Sequence, residues 1–584
     1  MKKYLPFRRS MRIIGEKRTA LDTARSRITI VSALFVLGFI MVGVRVVDLT
    51  FIQGEMQEFS VATGSGHSRV KEDKDIPRGN ITDRNGILLA TSLRTASLYA
   101  DPAIIANPKE AAQALVNILP TLSYGDLLQK LQRKARFIWI KRNLTPDEQF
   151  AVLSLGEPGF SFQSEWRRIY PQGPLAAHIV GFTDIDSNGI AGIERSFDGL
   201  LEDGASDLKL TLDIRVQHIV RRELERAIKD FNGIGGAATV VDLSDGEILA
   251  AVSYPDFDPN DIGAADDKSK FNRLTLGVYE LGSVFKIFSS AALLETHGVP
   301  LSTGFDTREP LVRGRFTIRD YHPEKRVLSI PEVFMHSSNI GAAMMGEMVG
   351  TQNLKDFYED LGLLSPLSLE IEEVGRPLVP EPWRDLSTLT ASFGHGIAVS
   401  PLQMTVAAGS IVADGTLIRP TFIIPEGVTG APKKQPEIRI ISPQTAHRMR
   451  QMMRLVVTDG TGKNAAVSGY RVGGKTGTAE KPDARGRYDR KKQISSFIGF
   501  FPMDAPRYAV YVMVDEPKGT KASFGYATGG WVASPAVRKI IEGMAAVLAI
   551  PPMDLPTAQD LSAPLRKYVH DDKGAKHLAS FGTD

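Results

Sequence analysis

The sequence predicts an α+β protein organised around one antiparallel sheet, and three observations lead there. From about residue 206 the elements run strand, helix, paired strands, many helices, three strands and a closing helix. Strands at both ends of that unit point to a sheet assembled from its two ends and flanked by the helices, which buries the apolar face of each. The 584 residues exceed what one core ordinarily supports, so a further domain precedes this unit. Finally, a single uncharged apolar run sits close to the N-terminus, directly behind a basic tail.

The elements follow in chain order. Residues 1–27 carry Lys2, Lys3, Arg8, Arg9, Arg12, Lys17, Arg18, Arg25 and Arg27 against only Glu16 and Asp22. The run ITIVSALFVLGFIMVGV (28–44) has no charge, and extending it to residue 47 reaches the ~20 residues a spanning helix needs if Arg45 snorkels. No small-x-small cleavage site follows it, so 28–47 is expected to be an uncleaved signal-anchor. The excess of basic residues puts 1–27 in the cytoplasm and everything after about residue 50 outside.

Residues 50–205 read as a mixed α/β domain. Asn85-Gly86 between β-prone runs is a hairpin signal, and helices are expected at 109–119 and 124–136. The second unit spans 206–550. Its helices are expected at 214–231, 330–350, 353–361, 401–413, 443–458 and 534–550, with an apolar hairpin turning at Ser244-Asp245-Gly246 and late strands in YRVGGKTGTAE, ISSFIGFFP and RYAVYVMVDEP. The Pro-rich, polar stretch 551–584 is expected to be a loose tail.

Composition excludes some chemistries. The chain has no cysteine, which rules out disulfides, thiolate catalysis and Cys-ligated zinc. A net charge of +3 over this length implies no nucleic-acid partner. There is no His-Glu-x-x-His and no His/Asp/Glu cluster at metal-ligand spacing, so neither metal nor cofactor is expected.

Three short motifs lie in the second unit. Ser283 and Lys286, in YELGSVFK, stand one helical turn apart. The same Ser-x-x-Lys spacing recurs at Ser68/Lys71 and Ser206/Lys209, so on its own it is as readily a capping serine beside a surface lysine. Ser337-Ser338-Asn339 is the chain's only Ser-x-Asn, and Lys475-Thr476-Gly477, followed by Thr478, its only Lys-Thr-Gly. Each alone reads equally as a helix end or a strand edge; the conjunction points to a site. A serine hydroxyl needs a base, and a lysine one turn away can be that base if it is neutral. Desolvation and a second cation, Lys475, would depress its pKa. Ser337 suits proton transfer to a leaving amine, and Asn339 offers an amide both a donor and an acceptor. Lys475 with the hydroxyls of Thr476 and Thr478 suits a carboxylate, and Gly477 lets a ligand lie against the strand. Backbone N–H groups of Ser283 and Thr478 would form an oxyanion hole.

In this order the three motifs resemble the signature of penicillin-recognising serine enzymes. RGNITDRNG (78–86) and GIAGIERSFDGLL (189–201) are similar to blocks of the class B penicillin-binding proteins, and nothing resembles the glycosyltransferase domain of class A. The resemblance implies a non-catalytic pedestal at 50–205 and a transpeptidase domain at 206–550. The short pedestal, single anchor and basic tail look most like the division-specific FtsI family, with the elongation-specific members as the alternative. It implies a D,D-transpeptidase of the inner membrane with a periplasmic catalytic domain. Ser283 would attack the D-Ala-D-Ala end of a peptidoglycan stem peptide, release D-Ala and pass the acyl group to a neighbouring amine; β-lactams would acylate the same serine. It also implies partners: a lipid II polymerase of the SEDS type and other division proteins. A β-lactamase, a D,D-carboxypeptidase or a β-lactam-binding sensor would use the same motifs; the pedestal and the anchor disfavour the first two, and the absence of further membrane helices and of a protease-like motif disfavours the sensor.

Outside these motifs, Arg78 and Glu194 lie in the two family-like blocks and are expected to pair where pedestal meets catalytic domain, unless each is a solvated turn charge. His336 and His395 read as packed or turn histidines, and RGRYDRKKQ (485–493) as a solvated basic loop.

Overall fold

The computed structural model describes residues 76–584 except 205, 315, 426–435, 483–487, 554–559 and 571–584, and before them only positions 33, 36–38, 40 and 41. The expected cytoplasmic tail (1–27), most of the expected anchor (28–47) and the last part of the expected tail lie outside the described residues. Among the described residues no helix is long and apolar enough to cross a membrane. The described residues from 76 onward form one compact unit.

The first part of that unit is a sheet covered by helices. Strand β1 (Ile81–Thr82) turns through Asn85-Gly86 into β2 (Leu88–Ala100). Helices α1 (Pro108–Ile118) and α2 (Tyr124–Leu131), strand β3 (Ile138–Leu144), helix α3 (Pro146–Leu153) and strand β4 (Phe160–Ile169) follow. Strand β2 pairs antiparallel with both β3 and β4. Leu98, Leu115, Leu127, Leu131, Ile140 and Val152 form the core between sheet and helices. Helix α2 ends five residues earlier than expected, because 132–136 (Gln-Arg-Lys-Ala-Arg) offers no large apolar side chain to bury. A proline in the first turn and a side-chain cap start α1 (Asn107) and α3, where Thr145 and Glu148 cap reciprocally.

Strand β1 also pairs parallel with β5 (Leu208–Lys209), and Asp83 Oδ2 accepts from the backbone N–H of Ile214, so the two parts are stitched through the main chain. The second part comprises α4 (Ile214–Asp230), β6 (Gly235–Asp242), β7 (Ile248–Tyr254), α5 (Lys286–His297), α6 (Ile330–His336), α7 (Asn339–Val349), α8 (Thr351–Asp360), α9 (Pro401–Val412), α10 (Pro443–Thr458), β8 (Gly473–Pro482), β9 (Tyr488–Phe501), β10 (Tyr508–Asp515) and α11 (Gly529–Val547). Its sheet has the order β8-β9-β10-β6-β7 with every neighbour antiparallel, so it is built from both ends of the domain, as expected. Side chains of β10 alternate between two cores. Val510, Val512 and Val514 pack with α4 and α11, and Ala509, Tyr511 and Met513 face the core holding α5, α9 and α10.

Two expectations fail in this part. The single helix expected at 330–350 is two helices: Ser337 takes the left-handed conformation (φ 62°, ψ 39°), closes α6, and hands over to Ser338, whose hydroxyl caps α7 by accepting from Gly341 N. The tail expected to be loose from 551 onward is docked over 560–570, where Leu565 is buried in the main core and Asp560 pairs with Arg454. Composition alone hid this, since a few apolar side chains, Leu561, Leu565, Tyr568 and Val569, among polar residues are enough to anchor a short 3₁₀ turn (Ala563–Tyr568).

Arg78 and Glu194 do pair, but within the pedestal itself. Arg78 Nε lies 2.7 Å from Glu194 Oε2, and Arg168 Nε lies 2.7 Å from Glu194 Oε1, with all three side chains buried. Arg78 also reaches Asp198 and the carbonyls of Ser187 and Glu194, while Arg168 donates to the carbonyls of Arg78 and Gly79. Glu194 is therefore shared by two buried guanidinium groups, and Asp198 gives Arg78 a second carboxylate at 2.8 Å. Glu194→Ala is expected to destabilise the protein by about 3–5 kcal/mol in chemical denaturation, because it leaves buried Arg168 without its carboxylate and Arg78 with Asp198 alone. A double-mutant cycle of Arg78→Ala with Glu194→Ala is expected to be strongly non-additive; additive losses would mean that the two are uncoupled.

Candidate active site

Ser283 sits in a 3₁₀ turn, Gly282–Phe285, that runs directly into α5. The turn is pressed against β8: Gly282 has φ +57°, and a Cβ there would fall 2.6 Å from Thr478 O. Only glycine lets the serine approach the strand that closely. Lys286 opens α5 one turn later. Its side chain is 1 % exposed, and Nζ lies 2.7 Å from Ser283 Oγ.

The broken helix supplies the second motif. Lys286 Nζ also lies 2.8 Å from Ser337 O, 3.2 Å from Ser337 Oγ and 2.7 Å from Asn339 Oδ1. Lys475, 0 % exposed on β8, donates to Ser337 Oγ at 2.9 Å and lies over the Phe334 ring. The left-handed turn at Ser337 is what offers both its carbonyl and its hydroxyl to the lysines. Five of the eight expected residues, Ser283, Lys286, Ser337, Asn339 and Lys475, are thus joined by one chain of hydrogen bonds.

The other three are adjacent but differently engaged. Strand geometry puts Lys475 and Gly477 on one face of β8 and Thr476 and Thr478 on the other. Thr476 Oγ1 meets Thr461 Oγ1 at 2.8 Å, and Thr478 Oγ1 accepts from Gly529 N at 3.1 Å. Gly477 was expected to give a ligand room. A Cβ there would instead strike Ser496 Oγ at 2.4 Å, Leu281 O at 2.6 Å and Val284 Cγ2 at 2.7 Å, so its glycine serves the packing of the serine turn.

Electrostatics divide the two amines. Burial drives Lys286 well below the ordinary lysine value, the charge on Lys475 drives it further, and Asp320 pulls it partly back. Burial pushes Lys475 down to about 7. Both amines are thus held below the ordinary lysine value, and only Lys286 carries the added push of a neighbouring charge, which favours its neutral, basic form. A neutral amine also fits the contacts. Its two N–H groups face Ser337 O and Asn339 Oδ1, which only accept, and its lone pair is left for the Ser283 hydroxyl.

Several residues here were not singled out by the sequence. Asp320 accepts from Ser338 Oγ at 2.7 Å, Asn339 N at 2.5 Å and Ile340 N at 3.0 Å, so one carboxylate fastens the Ser-x-Asn segment at the N-terminus of α7. No spacing links Asp320 to that motif, because an irregular loop brings it back. Glu280 accepts from Gly396 N and from the Tyr488 hydroxyl. The Tyr488 ring stacks on His395 at 5.2 Å, and burial lowers His395 to about 4. The stretch expected as a solvated basic loop is therefore, from Tyr488 onward, the start of β9 and a wall beside the serine. His336 is half-buried and pairs with Glu324 at 3.0 Å. A cleft of about 640 Å³ lined by Arg142, Arg167 and Tyr170 on one side and by Pro259 and Ile262 on the other lies between the two parts and shares no residue with this site.

The chain matches two family models, the penicillin-binding protein dimerisation domain over residues 74–210 and the penicillin-binding protein transpeptidase domain over residues 236–542. It is similar to the probable peptidoglycan D,D-transpeptidase FtsI of Caulobacter vibrioides, 41% identical over 545 residues, covering 91% of this chain and 90% of that one. The peptidoglycan D,D-transpeptidase FtsI of Escherichia coli is 30% identical over 544 residues, covering 87% of this chain and 90% of that one. Among solved structures, penicillin-binding protein 3 of Mycobacterium tuberculosis in complex with aztreonam superposes with a TM-score of 0.65 at 26% identity, covering 82% of this chain and 98% of that one.

Lysine-resolved NMR is expected to find Lys286 titrating far below the ~10.4 of a free lysine. Asp320→Asn is expected to lower it further by removing the one acidic neighbour that favours its charged form.

Proposed function

The chain belongs to the class B penicillin-binding proteins of the FtsI family, and from that membership we propose that it cross-links septal peptidoglycan through Ser283. It is a D,D-transpeptidase: stem peptides ending in D-Ala-D-Ala are its substrates, and β-lactams acylate it. The observation that carries the residue assignment is the buried Lys286 amine, 2.7 Å from Ser283 Oγ and held by two acceptors that fill its N–H groups.

Lys286 takes the Ser283 proton as Oγ attacks the penultimate D-Ala carbonyl carbon. Backbone N–H groups of Ser283 and Thr478 receive the charge that develops on the carbonyl oxygen. The C–N bond breaks, the departing D-Ala amine gains its proton through the Ser337 hydroxyl, and an ester on Ser283 remains. An acceptor amine then attacks the ester and gives up a proton to Lys286, which returns it to Ser283 Oγ as the ester C–O bond breaks, leaving a new amide and a free serine. Asn339 holds the substrate amide. Lys475 keeps Ser337 in place and lends positive charge to the side of the site where the terminal carboxylate lies, and Thr476 and Thr478 contact that carboxylate once their present hydrogen bonds are exchanged for it.

The wider assignment has the same status. Residues 28–47 anchor the chain with 1–27 in the cytoplasm and the catalytic domain in the periplasm, which the apolar run and the basic tail support. Residues 50–205 act as pedestal, 206–550 as the transpeptidase domain. A SEDS-type lipid II polymerase and other division proteins are the partners. The names of the relatives favour the septal over the elongation role.

Mass spectrometry of the penicillin-treated protein is expected to locate a single long-lived adduct on Ser283, absent from Ser283→Ala; an adduct elsewhere, or one hydrolysed within seconds, would refute this reading. The acylation rate is expected to rise with pH as Lys286 loses its proton and to fall again above about 7 as Lys475 loses its own. Lys286→Met is expected to slow acylation by roughly 10²–10⁴-fold, the usual worth of a positioned base.

A further inference from the structure

The segment 560–570 lies beyond the residues matched by the transpeptidase model, and no step above uses it. It is nevertheless firmly seated. Asp560 Oδ2 accepts from Arg454 Nε at 2.9 Å, its Oδ1 accepts from Ser562 N and Oγ, and Leu565 is buried in the main core. Its contacts fall on the two elements that meet at the site. Arg454, on α10, donates its other nitrogen to Val472 O, the residue immediately before β8, which carries Lys475. At the far end of the segment, Tyr568 O accepts from Ser329 Oγ at 2.7 Å, and His570 N donates to Glu332 Oε1 at 2.9 Å. Ser329 and Glu332 are the reciprocal cap of α6, whose last turn ends at Ser337.

Helix α6 has only seven residues, too few to hold a fixed direction without outside support. Ser337 is a non-glycine residue in the left-handed region, a conformation that persists only when its surroundings impose it. We propose that residues 560–570 form a positioning strap for the reaction. The strap grips the start of α6 through Tyr568 and His570 and the start of β8 through Asp560 and Arg454, and so sets the 2.9 Å contact between Ser337 and Lys475 from behind. It touches no substrate and acts through these two elements alone. This rests on the assignment of Ser283 as nucleophile and of Ser337 as proton carrier.

The test is a pair of truncations of the full chain. Ending it after Lys567 removes Tyr568, Val569 and His570 but keeps Asp560, Leu561 and the fully buried Leu565, so most of the core contact stays. Ending it after Asp572 keeps the whole strap. Stopped-flow acylation by a fluorescent penicillin gives the pre-acylation dissociation constant and the acylation rate constant, and titration of bound label gives the active fraction. The shorter chain is expected to lose about 10- to 100-fold in the rate constant per active molecule, as small misplacements of catalytic groups do, with the dissociation constant little changed. The longer chain is expected to match the full chain. A rate constant per active molecule that is unchanged, with only the active fraction or melting temperature reduced, would overturn the strap. If the shorter chain fails to fold, Ser329→Ala, which removes only the hydroxyl facing Tyr568 and the cap, is read in the same way. If the full chain itself carries no label on Ser283, the underlying assignment falls and not the strap.

Discussion

Taking two lysine amines out of water is the constraint on which the rest of the site depends. Lys286 and Lys475 are both fully buried, and each ends within reach of Ser337. Two charged amines could not share that space, so the protein settles the conflict by leaving one neutral. That requires a dry pocket, acceptors for the neutral amine, and a single acidic neighbour set at one remove. The core helix α5, the left-handed turn at Ser337 and Asp320 supply these in turn. In the proposed mechanism Ser283 becomes reactive as a result of packing, its side-chain hydrogen bond among the described residues being to Lys286.

The same economy of charge shapes the pedestal. Arg78 and Arg168 converge on Glu194, and their remaining nitrogens are spent mostly on backbone carbonyls. A network of this kind contributes less to net stability than to fixing which loops meet, since buried ions are expensive to desolvate and intolerant of misplacement. It ties the segment before β1 to the short helix at Gly192–Ser196, while the parallel pairing of β1 with β5 carries that order into the second domain.

Much of this was legible in the sequence because it follows from local rules. The sheet built from both ends of the domain, the helices at 401–413 and 443–458 and the hairpin at Ser244-Asp245-Gly246 emerge within a residue or so of their expected limits, since periodicity and capping residues govern them. The five residues joined by hydrogen bonds were legible through three motifs. What stayed hidden depends on contacts distant in sequence. Ser337 breaks a helix that its neighbours' apolar spacing would have continued. Asp320, Glu280 and Tyr488 acquire their places through loops with no period. Gly477 answers to Leu281, Val284 and Ser496, which no reading along the strand alone connects to it. The docked segment 560–570 owes its place to Leu565 with a few partly buried neighbours, one ion pair and hydrogen bonds to the cap of α6.

The strand order β8-β9-β10-β6-β7 has a consequence for biosynthesis. Strand β6, buried along its whole length in the finished protein, emerges early but waits some 270 residues for its neighbour β10. Until then the β6–β7 hairpin carries an open apolar edge, the kind of surface that invites pairing with the wrong chain. Ser283, the proposed nucleophile, is likewise made about 190 residues before Lys475, which completes its surroundings. An incomplete chain therefore lacks Lys475 and the strand against which the Ser283 turn packs, and the site is assembled only on the arrival of the C-terminal third.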